Sequence, residues 1–223
     1  MTMRMPLIIA AVLALALVSG SACAQDNIPL NDLKTRAEAG DRAALRQLAE
    51  AYSAGKGVEQ DFKQAAYWYE VLAKKGDQFA QVSLGMLYAR GYGVDKNMAT
   101  AFRWFQLAAA QRNREAHYNL GTLLFKGEGT AQNYEEAAKH LREAAIRGHA
   151  SAQSDLGMMY FEGKGLPRDF RMAYYWLSVA SLQGDDIAQG QLKTVAAKMP
   201  AEQAREAETQ AKEWMEKAKK TWK

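Results

Sequence analysis

The residues able to do chemistry in this chain are few. Ser53-Ala54-Gly55-Lys56 has the Ser-x-x-Lys spacing in which a lysine can activate a serine nucleophile, as in β-lactam-recognising enzymes. Four Gly-x-Gly pairs, at Gly55/Gly57, Gly91/Gly93, Gly127/Gly129 and Gly163/Gly165, could cradle a phosphate. His117, His140 and His149 are the histidines, and Cys23 is the single cysteine. Each signal weakens on inspection. No Lys-Thr-Gly accompanies the serine motif, and its serine slot is filled by Ala89, Phe125 and Phe161 elsewhere. No Lys-Ser/Thr follows any glycine pair, and no strand precedes one, so the glycines are read as backbone devices. The histidines share no helix at metal-ligand spacing. His117 occupies a slot filled by Leu45, Gln81 and Gln153, read as unconstrained helix surface; His149 follows a glycine where Asp77 and Asp185 stand in other copies. No paired-carboxylate constellation is visible. The expectation is no catalytic residue, no metal and no cofactor.

The word "slot" rests on an internal repeat, which must position all of these residues. Leu48, Leu84, Leu120, Leu156 and Leu192 recur every 36 residues. Ala44, Ala80, Ala116, Ala152 and Ala188 keep the same step without a gap, as do the glycine pairs and Ala65, Ala101, Ala137 and Ala173. Trp68, Trp104 and Trp176 follow in register, with His140 at the same slot of the third copy.

Each unit resolves into two helices. In the first, Ala44, Leu48, Ala51 and Tyr52 fall at i, i+4, i+7 and i+8, one apolar face. Gly-x-Gly ends it, because glycine accepts the left-handed conformation of a helix C-terminus. Asp61, Asn97, Asn133 and Asp169 then stand where a second helix should start, with side-chain oxygens suited to capping unpaired N–H groups. Gln64 and Glu136, three residues on, complete candidate capping boxes. The second helix carries Ala65, Trp68, Tyr69 and Leu72, and Gly76, Gly148 and Gly184 close the unit, with Arg112 the one departure.

These residues resemble the Sel1-like repeat family, a relative of the tetratricopeptide repeat. The second copy shows the pattern as Ala80, Leu84, Gly85, Tyr88, Gly91, Gly93, Val94, Ala101 and Trp104. The resemblance implies an all-α, right-handed α/α solenoid that serves as a protein–protein adaptor, and it names no partner. Ala49 for Gly, Leu124 for Tyr and His140 for Trp depart from the pattern, so the third repeat should pack least tightly. The units are placed at about 44–79, 80–115, 116–151 and 152–187, within a solenoid over 25–192. Leu30 to Ala39 reads as an unpaired second helix, an N-terminal half-repeat. Region 193–223 reads as a capping helix that begins with Pro200 at its first position, which proline favours. A free docking module is the alternative for that helix.

The first residues read as an export signal. Arg4 precedes an apolar run from Leu7 to Val18, too short for a bilayer span of about 20 residues. Ala22-Cys23-Ala24 offers small residues for cleavage before Gln25, giving a 1–24 signal peptide and a periplasmic or secreted mature chain without cysteine. Lipidation of Cys23, as in an outer-membrane lipoprotein, is the less favoured reading. No integral membrane span is expected, and peripheral envelope association stays open. From Gln25 to Leu192 the chain has 20 basic and 20 acidic residues. A neutral solenoid lacks the basic stripe of a nucleic-acid binder, so nucleic acid is discounted as a partner.

On the first helices, the stripe opposite the leucines reads Arg46, Glu50 and Ser53, then Val82, Met86 and Ala89, then Tyr118, Thr122 and Phe125, then Ser154, Met158 and Phe161. A solvated stripe should be polar. This one is apolar in three consecutive copies. The inner, concave side of stacked helix pairs is the usual binding surface, so Val82, Met86, Arg90, Tyr118, Thr122, Phe125, Met158 and Phe161 are the expected contacts for a protein or peptide partner. Packing of Phe125 and Phe161 between neighbouring repeats is the competing reading. An exported scaffold is the leading function; a β-lactam-interacting envelope hydrolase and a structural envelope lipoprotein are the alternatives.

Overall fold

A computed structural model describes residues 29–222. The expected signal peptide and its cleavage site lie outside the described residues. Eleven helices account for the regular structure among these residues, and no strand occurs. They are α1 (Leu30–Glu38), α2 (Arg42–Ala54), α3 (Phe62–Lys74), α4 (Gln78–Arg90), α5 (Met98–Ala110), α6 (Arg114–Lys126), α7 (Tyr134–Ile146), α8 (Ala150–Glu162), α9 (Phe170–Ser181), α10 (Asp186–Ala196) and α11 (Ala201–Ala218). Each helix packs on the next through α10, so α2/α3, α4/α5, α6/α7 and α8/α9 are the four expected pairs and α1 is the preceding half-unit.

The punctuation of the pairs is built into their ends. Asp61, Asn97, Asn133 and Asp169 cap the second helices, each accepting from N–H groups of the first turn. Their own N–H groups donate to the carbonyls of Tyr52, Tyr88, Leu124 and Tyr160 at 2.9–3.0 Å, which ties the cap to the preceding first helix. That bond occupies the donor a capping box would use, so the reciprocal arm expected of Gln64 and Glu136 has no role here. First helices have their own caps in a slot the sequence reading treated as turn only: Asp41, Asp77, Asn113, His149 and Asp185. Pro200 is the N-cap residue of α11 rather than its first helical residue.

The glycine pair does two jobs. Gly163 ends α8 in the left-handed conformation (φ 71°). Gly165, also at positive φ, lies so close to the start of α7 that a Cβ would sit 2.2 Å from the Tyr134 carbonyl oxygen. Glycine therefore lets one repeat's loop sit directly on the previous repeat's second helix. Arg112 takes the same left-handed geometry (φ 64°) where the other units have glycine.

The core is a continuous stack of alanine, leucine and aromatic side chains. Small residues at Ala65, Ala101, Ala137 and Ala173 are fully buried, which allows helices to approach closely. The third repeat is not the loose one that its departures suggested. Leu124 is buried and Leu141, Ala144 and Ala145 are fully enclosed. Two things compensate for the missing tryptophan: His117 joins His140, and Trp222 folds back over Gly148 with its indole N–H donating to the Ile146 carbonyl at 3.0 Å.

The last helix buries Ala204, Ala207, Ala211, Met215 and Ala218, chiefly against α9. Trp214 meets Trp176 edge-on at 5.6 Å, and Trp222 meets Trp214 at 5.5 Å. These rings carry the helix across the last repeat and onto the third.

Candidate functional site: the seams between first helices

Side chains about 160–200° around each first helix from its core leucine were expected to face solvent. The structure places them at the seams between successive first helices. Val82, Met86 and Ala89 of α4 pack on a cluster formed by α5 and by Ala116, Leu120 and Leu123 of α6. Met158 and Phe161 of α8 pack on a cluster containing Ala188 and Val195 of α10. Val82, Met86, Arg90, Tyr118, Met158 and Phe161 are half-buried and keep part of their surface exposed. Thr122 and Phe125 do not: they are 4% and 9% exposed. Phe125 is covered by the Tyr134 ring at 5.0 Å and by the Lys164 ammonium at 5.4 Å, so it holds repeats together and offers little to a partner. Phe125 thus packs between repeats, and Thr122 is likewise closed off. Phe161, beside Phe170 at 5.6 Å, stays partly open.

Polar groups thread the same seams. Arg46 donates to Asp77 at 2.5 Å and covers the Phe79 ring. Tyr118 stacks on His149 at 4.1 Å. The Nδ1 of His149 accepts the cap bond from the Ala152 N–H, which leaves Nε2–H to donate to Glu115 at 3.1 Å. Burial pushes the Glu115 carboxyl up, but the His149 hydrogen bond together with the charges of His149 and Arg114 holds the group below its usual range. Burial pushes the Tyr118 hydroxyl well above its usual range.

One slot stands apart. Gln47, Ser83, Asn119, Asp155 and Gln191 recur at the repeat step, on the flank of each first helix that faces the preceding one. Four are neutral. Asn119 donates to the Glu115 carbonyl at 2.8 Å, and Gln191 accepts from Ser154 at 3.3 Å. Asp155 is the only ionisable member, and its Oδ2 is shut off from solvent with no hydrogen-bond partner among the described residues. Burial, reinforced by Asp185 and partly offset by Lys126, raises its carboxyl to about 7. Sequence reasoning passed over Asp155 because the stripe was sought by hydrophobicity; a lone carboxylate in an otherwise neutral column was the available signal.

The histidines also sit differently from expectation. The slot shared by Leu45, Gln81, His117 and Gln153 is buried in three copies and half-buried at His117, not an unconstrained surface. Gln81 and Gln153 donate to the carbonyls of Ala73 and Ala145, and Gln111 and Gln183 donate to them in turn. His117 takes the glutamine's place, bonding the Ala109 carbonyl and approaching His140 with Nδ1–Nδ1 of 3.0 Å. Burial lowers both imidazoles, and for His117 the neighbouring ring adds to it. No group of three or more His, Cys, Asp or Glu side chains able to hold a metal occurs among the described residues. Ser53 is buried, donating to the Glu50 carbonyl at 3.1 Å beside the Tyr69 hydroxyl. No helix among the described residues is long and apolar enough to cross a membrane.

A family model for the Sel1 repeat matches residues 42–77, 78–113, 114–149, 150–185 and 206–220. The chain belongs to the Sel1 repeat family. The match shifts each repeat boundary two residues towards the N-terminus of the sequence-based placement, and it adds a fifth, partial segment within α11. There Ala211, Trp214 and Ala218 repeat the spacing of Ala101, Trp104 and Ala108, a signal the capping interpretation had not used. The chain is similar to c5321, described as a protective antigen present in uropathogenic Escherichia coli strains and displaying an SLR fold. Identity there is 32%, the TM-score is 0.79, and the match covers 86% of this chain but 42% of the other. A Sel1 repeat protein from Oxalobacter formigenes is 32% identical with a TM-score of 0.71, covering 82% and 78% of the two chains. No curated protein matches the chain. Sel1 repeat proteins generally act as protein-interaction scaffolds without catalysis of their own.

Proposed function

We propose that this Sel1 repeat protein is an exported scaffold that holds an extended or helical segment of a protein partner across its first helices, on the concave side of the stack. The observation that carries this reading is the row of half-exposed apolar side chains at successive seams: Val82 and Met86, then Tyr118, then Met158 and Phe161. Methionine and aromatic side chains adapt to and anchor apolar partner groups. Arg90 beside them supplies a polar rim. Export rests on the Arg4 and Leu7 to Val18 pattern, with a periplasmic or secreted location following cleavage before Gln25.

Replacing Met86, Tyr118 and Met158 together with Ser tests the binding face. Partner capture from envelope extract should fall by tenfold or more, because each anchor is worth about 2 kcal/mol when buried in an interface. Retention of capture by a folded triple variant would refute this face. The mass of the mature N-terminus tests the location: a chain beginning at Gln25 supports cleavage, and a diacylated Cys23 replaces it with a lipoprotein.

A further inference from the structure

Asp155 is half-buried as a residue, but its Oδ2 is enclosed and unpaired, and a charge held there in a column of neutral residues is costly. Thr122 Oγ1, in the same α6/α8 seam, is enclosed as well. The Tyr118 hydroxyl lies among Thr122, Ser151 and Asp155. The Asp155 carboxylate and the Tyr118 hydroxyl, both on half-buried residues, thus lie near each other in the middle of the first-helix row. Apolar surface flanks this point one repeat away on each side, from Met86 and Val82 on α4 and from Met158 and Phe161 on α8. The charges nearby are mainly negative: Asp185 adds to the field at Asp155, Glu115 lies near Tyr118, and Lys126 is the cation that opposes them.

We infer that Asp155, with the Tyr118 hydroxyl, is the docking point for a basic side chain of the partner, flanked by apolar residues on either side. This rests on the scaffold reading above and adds the chemistry of what is held. A lysine ammonium brings three donors and no acceptor, and a guanidinium brings five, which matches a carboxylate that only accepts beside a hydroxyl that can accept. The ion pair so formed would be charge-assisted and largely dry, the setting in which such bonds are strongest. Neutral Gln47, Ser83, Asn119 and Gln191 at the equivalent positions restrict this chemistry to one seam, so it fixes the partner's register as well as its affinity.

The test is affinity selection from a combinatorial library of nine-residue peptides, acetylated and amidated at their ends, on the immobilised full chain. The expected result is enrichment of Lys or Arg at one position with apolar residues on both sides. That basic preference should fall by about tenfold or more in Asp155→Asn, while the apolar preferences persist. It should fall likewise for the wild type at about pH 5, where the carboxyl is protonated. The acid arm decides the matter if the variant does not fold. Apolar enrichment without a basic position, or basic enrichment unchanged in Asp155→Asn and at acid pH, overturns this inference and leaves the scaffold reading intact. No enrichment of any kind overturns both.

Discussion

Asp155→Asn should stabilise the protein, and by an amount that depends on pH. In the unfolded chain the carboxyl titrates at 3.8, and in the fold at about 7. The native state therefore binds this proton more tightly than the unfolded state does. Stability contributed by the group is intact below about pH 4, falls as pH rises, and levels off above the folded value. The separation of the two values corresponds to about 4 kcal/mol, at about 1.4 kcal/mol for each tenfold change in proton affinity. An asparagine of nearly the same shape has no charge to desolvate. The stability difference between variant and wild type should thus grow by about 3 kcal/mol between about pH 4.5 and about pH 8.5. Chemical denaturation followed by far-UV circular dichroism at the two pH values measures it. The histidines, whose lowered values make stability fall below pH 6.5, are common to both proteins and cancel in the difference. A difference that does not change with pH would show that Asp155 ionises at no cost and that the α6/α8 seam is wet, which would remove the physical basis of the docking point.

Other outcomes follow from single contacts. Gly165→Ala should lose about 3 kcal/mol by denaturant melt, combining left-handed strain with overlap at Tyr134; Gly57→Ala, with open space around its Cβ, should lose only about 1 kcal/mol. Leu84→Ala empties a fully packed site and should cost about 2–5 kcal/mol, well above Met86→Ala, which is half-exposed; equal losses would mean the seam is core. Ending the chain before Met199 uncovers Trp176 and the α7/α9 surface now beneath Ala211 and Met215. That truncation should lower the melting temperature or cause association, seen by light scattering, and unchanged melting would make α11 a free module. His117→Gln restores the residue type of Gln81 and Gln153, and should remove part of the stability lost below pH 6.5 in an acid titration.

The helix pairs, their order and their family were legible because a 36-residue step repeats local chemistry without a gap. Alanine and leucine spacing marks the core face, Asp or Asn marks a start, and Gly-x-Gly marks a stop; each is a short-range effect that a string of residues carries in full. The half-repeat at Leu30–Glu38 was readable for the same reason. The candidate face was only partly readable. Helical periodicity gave the direction of Met86, Tyr118 and Met158 correctly, but direction relative to one helix says nothing about where the next helix lies. Thr122 is closed off and Phe125 is covered by Tyr134 and Lys164, while Met158 is left half-open.

What the sequence determined by itself is therefore the unit and its repetition. Tertiary structure decided what lies between units. His117 and His140 are 23 residues apart on different helices and meet at 3.0 Å only because α6 packs on α7. Trp222 reaches the Ile146 carbonyl across 76 residues because α11 lies back over α9. Asp155 becomes unusual only when the packed repeats desolvate its Oδ2, since the same aspartate on an isolated helix would be solvated and ordinary. Periodicity is a property of one chain segment, and desolvation is a property of the space between two, which is why the fold could be read residue by residue and the charge at its centre could not.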